Sequence, residues 1–186
     1  MGMPLSHMDW TVEMVKALPD DGNRYEVIDG ELLVSPAPSL LHQSAVGKLY
    51  LLLAPYADAV GLDAVFAPAA VTFSARREVQ PDLFVLPRKA GRPATRFEDV
   101  GQLMLAVEVL SPHSARTDRH RKRALYQDER VPDYWIVDLA LRAVERWRPD
   151  CASKEVLTVA LSWQPMPAHE ALIIDLPAYF RSVHGE

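Results

Sequence analysis

Leu103-Met104-Leu105-Ala106-Val107-Glu108-Val109-Leu110 is an apolar run broken once, by a carboxylate. A segment this short and this apolar reads as a central strand covered on both faces, and Ser111-Pro112 ends it. Downstream, a helix is predicted from Ala115 to Glu129, followed by a second strong strand, Tyr134-Trp135-Ile136-Val137-Asp138. Val144 to Trp147 is expected to pair with that strand as a hairpin, and Glu155 to Leu161 to extend the sheet. Ile173 to Leu176 reads as a short strand, and Ala178 to Val183 as a terminal helical turn.

Upstream, the pattern predicts two strands, Ala64 to Phe73 and Val79 to Leu86, joined by Ala75-Arg76-Arg77-Glu78. Before them, Leu41, Ala45, Val46, Leu49, Leu52, Leu53, Tyr56 and Val60 follow amphipathic spacing and predict a helix from Leu40 to Ala59. Ser39 can cap it, Gly61 can stop it, and Pro55 threatens its last turn. Arg24 to Ile28 and Glu31 to Val34 flank Asp29-Gly30, a strong short-range hairpin signal. A short helix is read at Thr11 to Leu18. Pro87 to Gly101 reads as an exposed loop with a helical turn near Phe97. The resulting class is α/β, a central mixed sheet flanked by helices, with an N-terminal hairpin and extra C-terminal strands.

The chain of 186 residues fits one domain, 1–186, with 1–8 read as a leader. Its 49% hydrophobic and 24% charged residues are ordinary for a globular protein. A single cysteine, Cys151, excludes an internal disulfide framework and makes a reducing, cytoplasmic setting the default. No apolar run reaches transmembrane length, so no membrane partner is expected. The net charge of −5 argues against a phosphate-binding surface, yet fifteen of the 20 basic residues lie between Arg76 and Arg148. A local basic surface or an ordinary solvated helix face both fit that clustering.

Three charges stand where charge is costly. Glu108 interrupts the apolar strand, and an unpaired carboxylate buried there would cost several kcal/mol. A cation, a metal or protonation must compensate it, unless the register leaves it at the solvent end of the strand. Asp82 follows Pro81 at a strand entry, a place where proline often marks an edge or bulge, although Asp after Pro is also a common turn acceptor. Lys122 shares a helix face with Ala115, Asp118, Leu125, Tyr126 and Glu129 at about 100° per residue. Its ordinary alternative is a surface pair with Asp118, its stem snorkelling. Together, two acids and a lysine form a kit for phosphoryl chemistry. The acids are hard oxygen ligands for Mg²⁺, which can acidify a bound water, and the lysine can stabilise developing negative charge.

Several segments occur in a telling order. They are Arg24 through Leu32, Ser35-Pro36-Ala37-Pro38, His42-Gln43, Gln80-Pro81-Asp82-Leu83, Glu108-Val109-Leu110-Ser111-Pro112, Asp118 with Lys122 and Tyr126, and Val131 through Asp138. Together they resemble the bacterial Uma-two family, described as putative restriction endonucleases, over about Tyr25 to Trp147. The resemblance implies the PD-(D/E)XK nuclease fold, with Asp82 and Glu108 on its two acidic positions. The residue two after Glu108 is Leu110 where the superfamily has lysine, and Lys122 on the next helix matches the family's displaced lysine. Glu31 and His42 also match: Glu31 as a further acid near the metal, His42 as a contact to phosphate or a ligand water. Each also fits an ordinary surface role.

The expected function is a Mg²⁺- or Mn²⁺-dependent phosphodiesterase, an endonuclease hydrolysing DNA. Asp82, Glu108 and Lys122 are its catalytic residues, Asp82 and Glu108 its metal ligands, and Glu31, His42 and Asp118 accessory. A homodimer is expected because breaking both strands usually needs two sites. Two alternatives stand beside it: a catalytically silent nucleic-acid- or partner-binding module that keeps the fold, and a hydrolase of another phosphate ester. No Walker A loop, zinc-ligand cluster, dinucleotide fingerprint or nucleophile elbow is present.

Overall fold

The computed structural model describes residues 9–95, 100, 102–112 and 114–186. The elements are α1 (Val12–Lys16), β1 (Arg24–Ile28), β2 (Glu31–Ser35), α2 (Leu40–Ala59), β3 (Leu62–Phe66), β4 (Val71–Ser74), β5 (Arg77–Val79), β6 (Leu83–Pro87) and β7 (Leu105–Val109). Next comes a helical rod built of α3 (Ala115–Thr117), a π-helical turn over Asp118–Lys122, and α4 (Arg123–Asp128). The chain then forms β8 (Asp133–Asp138), β9 (Ala143–Trp147), β10 (Glu155–Leu157), β11 (Ala160–Trp163), β12 (Leu172–Asp175) and α5 (Leu176–His184).

The central sheet runs β10-β9-β8-β7-β6-β3. Only β7 and β8 pair in parallel; the neighbouring pairs are antiparallel. A parallel step needs a crossover connection, and the rod from Ala115 to Asp128 supplies it. The layout is therefore the expected mixed α/β sheet flanked by helices.

Alternation along the central strands divides the core in two. Leu83, Val85, Leu105, Val107, Trp135 and Val137 pack with Ala45, Leu49 and Leu53 of α2 and with Tyr179 and Phe180 of α5. The intervening residues Phe84, Ala106, Tyr134 and Ile136 pack with Leu125 and Tyr126 of α4 and with Val71 and Val79 of a second sheet. That sheet has the order β2-β1-β5-β4 and lies on the rod's side of the core. By the period of two, Glu108 follows Ala106 onto the same face.

Local signals worked where they were self-contained. Asp29 (φ 52°) and Gly30 (φ 83°) both take positive φ, as a two-residue type I′ hairpin turn requires. Helix α2 keeps its predicted bounds, with the Ser39 hydroxyl accepting the His42 N–H at 3.2 Å and Pro55 inside the helix. Within it, however, Leu41 and Leu52 are each 41% exposed, whereas His42 and Ala57 are buried. The expected strands Ala64 to Phe73 and Val79 to Leu86 each divide between the two sheets. Their breaks fall at Pro68 and Pro81, which have no N–H to give a ladder. The expected strand Glu155 to Leu161 likewise divides: β10 extends the central sheet, and β11 pairs with β12. The terminal helical turn is a full helix, capped by Asp175 and closed by Gly185 in the left-handed conformation. The turn expected near Phe97 and the leader expected over 1–8 lie outside the described residues. Among the described residues no helix is long and apolar enough to cross a membrane.

The packing sets a testable contrast within one helix. Leu53 is fully buried and Leu51 is 71% exposed. Leu53→Ala is expected to cost about 2–5 kcal/mol and Leu51→Ala less than about 0.5 kcal/mol in urea unfolding. Equal losses would mean that α2 is turned differently on the sheet.

Candidate active site

All five residues of β7 are buried, Glu108 among them. Its Oε1 accepts hydrogen bonds from Lys122 Nζ at 2.8 Å and from the Tyr126 hydroxyl at 3.2 Å. Lys122, itself only 3% exposed, also reaches Glu26 Oε1 at 2.9 Å and lies 4.0 Å from Asp118 Oδ1. The π turn carries both Asp118 and Lys122. Its wider bonding is visible in the Arg123 N–H, which reaches back to the Asp118 carbonyl. The Tyr134 hydroxyl donates to that same carbonyl at 3.0 Å, tying the turn to β8.

Asp82 stands one residue before β6. Leu83 pairs with Val107, so the antiparallel register carried one step further sets Asp82 opposite Glu108. Three donors hold its carboxylate. Arg24 Nη1 binds Oδ1 at 2.9 Å, His42 Nε2 binds Oδ2 at 3.0 Å, and the Val109 N–H binds Oδ2 at 2.8 Å. Arg24 comes from β1, His42 from the first turn of α2 and Val109 from β7. Asp82 therefore fastens the small sheet, the helix and the central sheet at one point. These residues line one cavity of about 790 Å³, together with Glu26, Glu108, Asp118 and Lys122.

Electrostatics divides the acids. Burial pushes the Asp82 carboxyl up, but His42, Arg24 and the Val109 N–H outweigh it and hold it at about 2. Glu108 moves the other way. Burial raises it well above the usual carboxylate range; Lys122 offsets only part of this, and Asp118, Asp82 and Glu26 add to it. Asp118 is pushed up to about 6, again first by burial, which Lys122 and Ser114 offset only in part. Burial works against the charge on Lys122, but Glu108, Glu26 and Asp118 prevail and keep it an ammonium.

Four carboxylates (Glu26, Asp82, Glu108, Asp118) thus face two fixed cations, Arg24 and Lys122. The donor set is hard oxygen and the charge balance is negative, so the residues fit a divalent cation such as Mg²⁺. Among the described residues no three His, Cys, Asp or Glu side chains form a ready ligand set, and Lys122 Nζ sits where Glu26, Glu108 and Asp118 meet. A cation held by only one or two carboxylates and completed by waters is the Mg²⁺ pattern.

Of the residues singled out from the sequence, Asp82, Glu108, Lys122, His42 and Asp118 come together at this cavity. His42 engages Asp82 directly, with its Nδ1 buried and, among the described residues, unpartnered. Glu31 does not join them. It pairs with Ile28 beside the hairpin turn, its side chain is about half exposed, and it meets Arg121 at 2.7 Å. Two residues escaped sequence reasoning: Glu26 and Arg24. Glu26 is 2% exposed and carries the same signal as Glu108, a carboxylate set between strand residues, Tyr25 and Val27. Arg24 lies two residues away and so shares its face.

Comparison with known proteins then supplies a family. The Uma2 family model, described as "putative restriction endonuclease", matches residues 12–177. The chain belongs to the Uma2 family. Among solved structures, it is similar to a crystal structure titled as a putative nuclease belonging to DUF820 from Anabaena variabilis. The two share 19% identity and a TM-score of 0.74, covering 94% of this chain and 99% of the other. At that identity the likeness is one of fold. No curated protein matches the sequence. For this Uma2 chain, family and fold together support a nuclease at the family level.

The raised carboxyl of Asp118 gives a pH-dependent outcome. Its folded value, about 6, lies above the ordinary 3.8. Ionisation therefore costs the folded state more than the unfolded one. The penalty is absent below pH 3.8, grows through pH 6 and is complete above it, at no more than about 3 kcal/mol. In metal-free buffer Asp118→Asn is expected to be more stable than wild type at pH 8, with the advantage shrinking at pH 5. Equal differences at the two pH values would show that the Asp118 charge is not the cause.

Proposed function

We propose that this chain is a divalent-metal-dependent phosphodiesterase acting on DNA, with Asp82 and Glu108 as ligands and Lys122 as the catalytic cation. One observation carries the reading. A buried lysine from the crossover helix bonds Glu108, and Asp82 lines the same cavity from the neighbouring strand. When bound, the metal would acidify a water and neutralise charge on a phosphate.

The protein's own groups have distinct tasks. Asp82, held at about 2, is an anion throughout the physiological range and offers hard oxygen without first losing a proton. Arg24 and His42 fix its orientation, as outer partners of ligating carboxylates do. Lys122 is held as an ammonium, so general-base chemistry is closed to it. It serves by stabilising negative charge that builds on the phosphate, or by orienting the attacking water. Glu26 and Glu108 hold it between them on its buried stem. Double-strand cleavage would call on a homodimer, each copy supplying one site. The lone exposed Cys151 suits a reducing cytoplasm.

A second reading, a silent module that keeps the fold, is favoured by the same contacts, because Glu26 and Glu108 already neutralise Lys122 as a structural ion pair would. Cleavage of supercoiled plasmid and of single-stranded DNA with Mg²⁺ and Mn²⁺ separates the two. Asp82→Asn is expected to abolish cutting. Lys122→Met keeps the stem and removes the ammonium, and is expected to cut the rate by orders of magnitude, about 2.7–4 kcal/mol in barrier. Circular dichroism serves as the folding control. Full activity in a folded Lys122→Met protein would remove the catalytic role, and inactivity of the wild type on both DNAs would favour the silent module.

A further inference from the structure

The cavity holding Asp82, Glu108 and Lys122 is larger than those groups alone require. Its roughly 790 Å³ falls within the span of about 300–1,000 Å³ typical of sites that enclose one small-molecule-sized ligand. Beside the charged groups its wall is apolar. Pro36, Pro38 and Leu41 come from the entry to α2, and Leu110, Pro112 and Leu139 from the carboxyl ends of β7 and β8. Leu41, the second residue of α2, keeps 41% of its surface exposed.

The cations along this wall are committed elsewhere. Arg24 is bound to Asp82, Lys122 to Glu26 and Glu108, and Arg119 to Asp138 and Glu145. Intact duplex is held by clustered basic groups laid along its phosphates, over an interface of about 1,000 Å² or more. A negatively charged chain whose site cations are already paired offers little of that. A cleft with apolar side chains next to an acidic centre offers something different: a face for one base, with that nucleotide's phosphate at the charged groups.

We infer that the site takes an unpaired nucleotide of a DNA strand, at an end, a flap or a single-stranded gap, and discriminates against intact duplex. The base lies against Pro38, Leu41 and Leu139, and its phosphate is directed to Asp82, Glu108 and Lys122. Extruded bases are held in this way, between apolar side chains that can meet the face of any base. The inference rests on the nuclease reading and names its substrate class.

Binding tests it apart from turnover. Fluorescence anisotropy of the full chain is measured with Ca²⁺ replacing Mg²⁺, on three labelled DNAs: a single strand, a duplex with a single-stranded overhang, and a blunt duplex of the same length. The first two are expected to bind at least roughly tenfold tighter than the third. Leu41→Gln stays helix-compatible and adds no charge. It is expected to weaken single-strand binding by roughly tenfold and to leave the Mn²⁺-induced rise in melting temperature unchanged. Leu41→Phe, which enlarges the apolar contact, is expected to keep or tighten binding. Blunt duplex binding as tightly as single strand, unaltered single-strand binding in Leu41→Gln and Leu41→Phe, or no binding to any of the three would overturn the inference. Equal affinity for RNA of the same sequence would overturn its assignment to DNA. Strand-selective binding without cleavage leaves the inference standing and removes the nuclease reading. Cleavage with no strand preference does the reverse.

Discussion

A carboxylate in the middle of a fully buried strand must be matched by a cation, and much of this molecule is arranged around that demand at Glu108. Removing a carboxylate from water costs several kcal/mol even after relaxation, and only close, well-bonded opposite charge returns it. Lys122 at 2.8 Å and the Tyr126 hydroxyl at 3.2 Å provide part of that match. Both come from the crossover between β7 and β8, so the rod cannot slide along the sheet without stranding Glu108. The π turn belongs to the same solution. It is where the rod presents Asp118 and Lys122 inward, and Tyr134 bonds the carbonyl of Asp118 from the strand below.

The acids around Lys122 are kept unlike one another, and that difference has chemical use. Asp82 has three donors and is held at about 2, whereas burial pushes Asp118 up to about 6. Environments that drive neighbouring carboxyls apart allow one to remain a fixed anion while another responds to what binds beside it. Such a cluster is poor ground for stability, because its members repel one another. Its retention in the cleft of a nuclease-family fold accords with a site that is completed by a ligand.

The small sheet of β1, β2, β4 and β5 has a role beyond covering the core. It delivers Arg24 to Asp82 and Glu26 to Lys122, one residue to each half of the site. The breaks at Pro68 and Pro81 permit this, since each lets the chain leave one sheet and join the other. Proline thus sets Asp82 at a point where a strand has not yet begun, free to meet α2, β1 and β7 together.

Sequence by itself determined whatever depends on neighbours along the chain. The I′ turn at Asp29-Gly30, the cap at Ser39, the long α2 and the strands β7 and β8 follow from local φ preference, capping and hydrophobic period. Glu108 was legible as an anomaly for the same reason, and Lys122 as a charge on an apolar helix face, although a π turn interrupts the regular helix expected from Ala115 to Glu129 and presents it inward. Tertiary structure alone decided which charges meet. Glu31 and Glu26 lie on paired strands of one hairpin, yet Glu31 emerges at the turn beside Arg121 while Glu26 is buried on Lys122. Exposure of Leu52 and burial of His42 on α2 were likewise settled by the sheet beneath the helix and by Asp82 at its first turn. The physical reason is range. Propensity and periodicity act over a few residues, whereas the partner that makes a buried charge tolerable is chosen across the sheet, fourteen positions away for Glu108 and Lys122 and fifty-eight for Arg24 and Asp82.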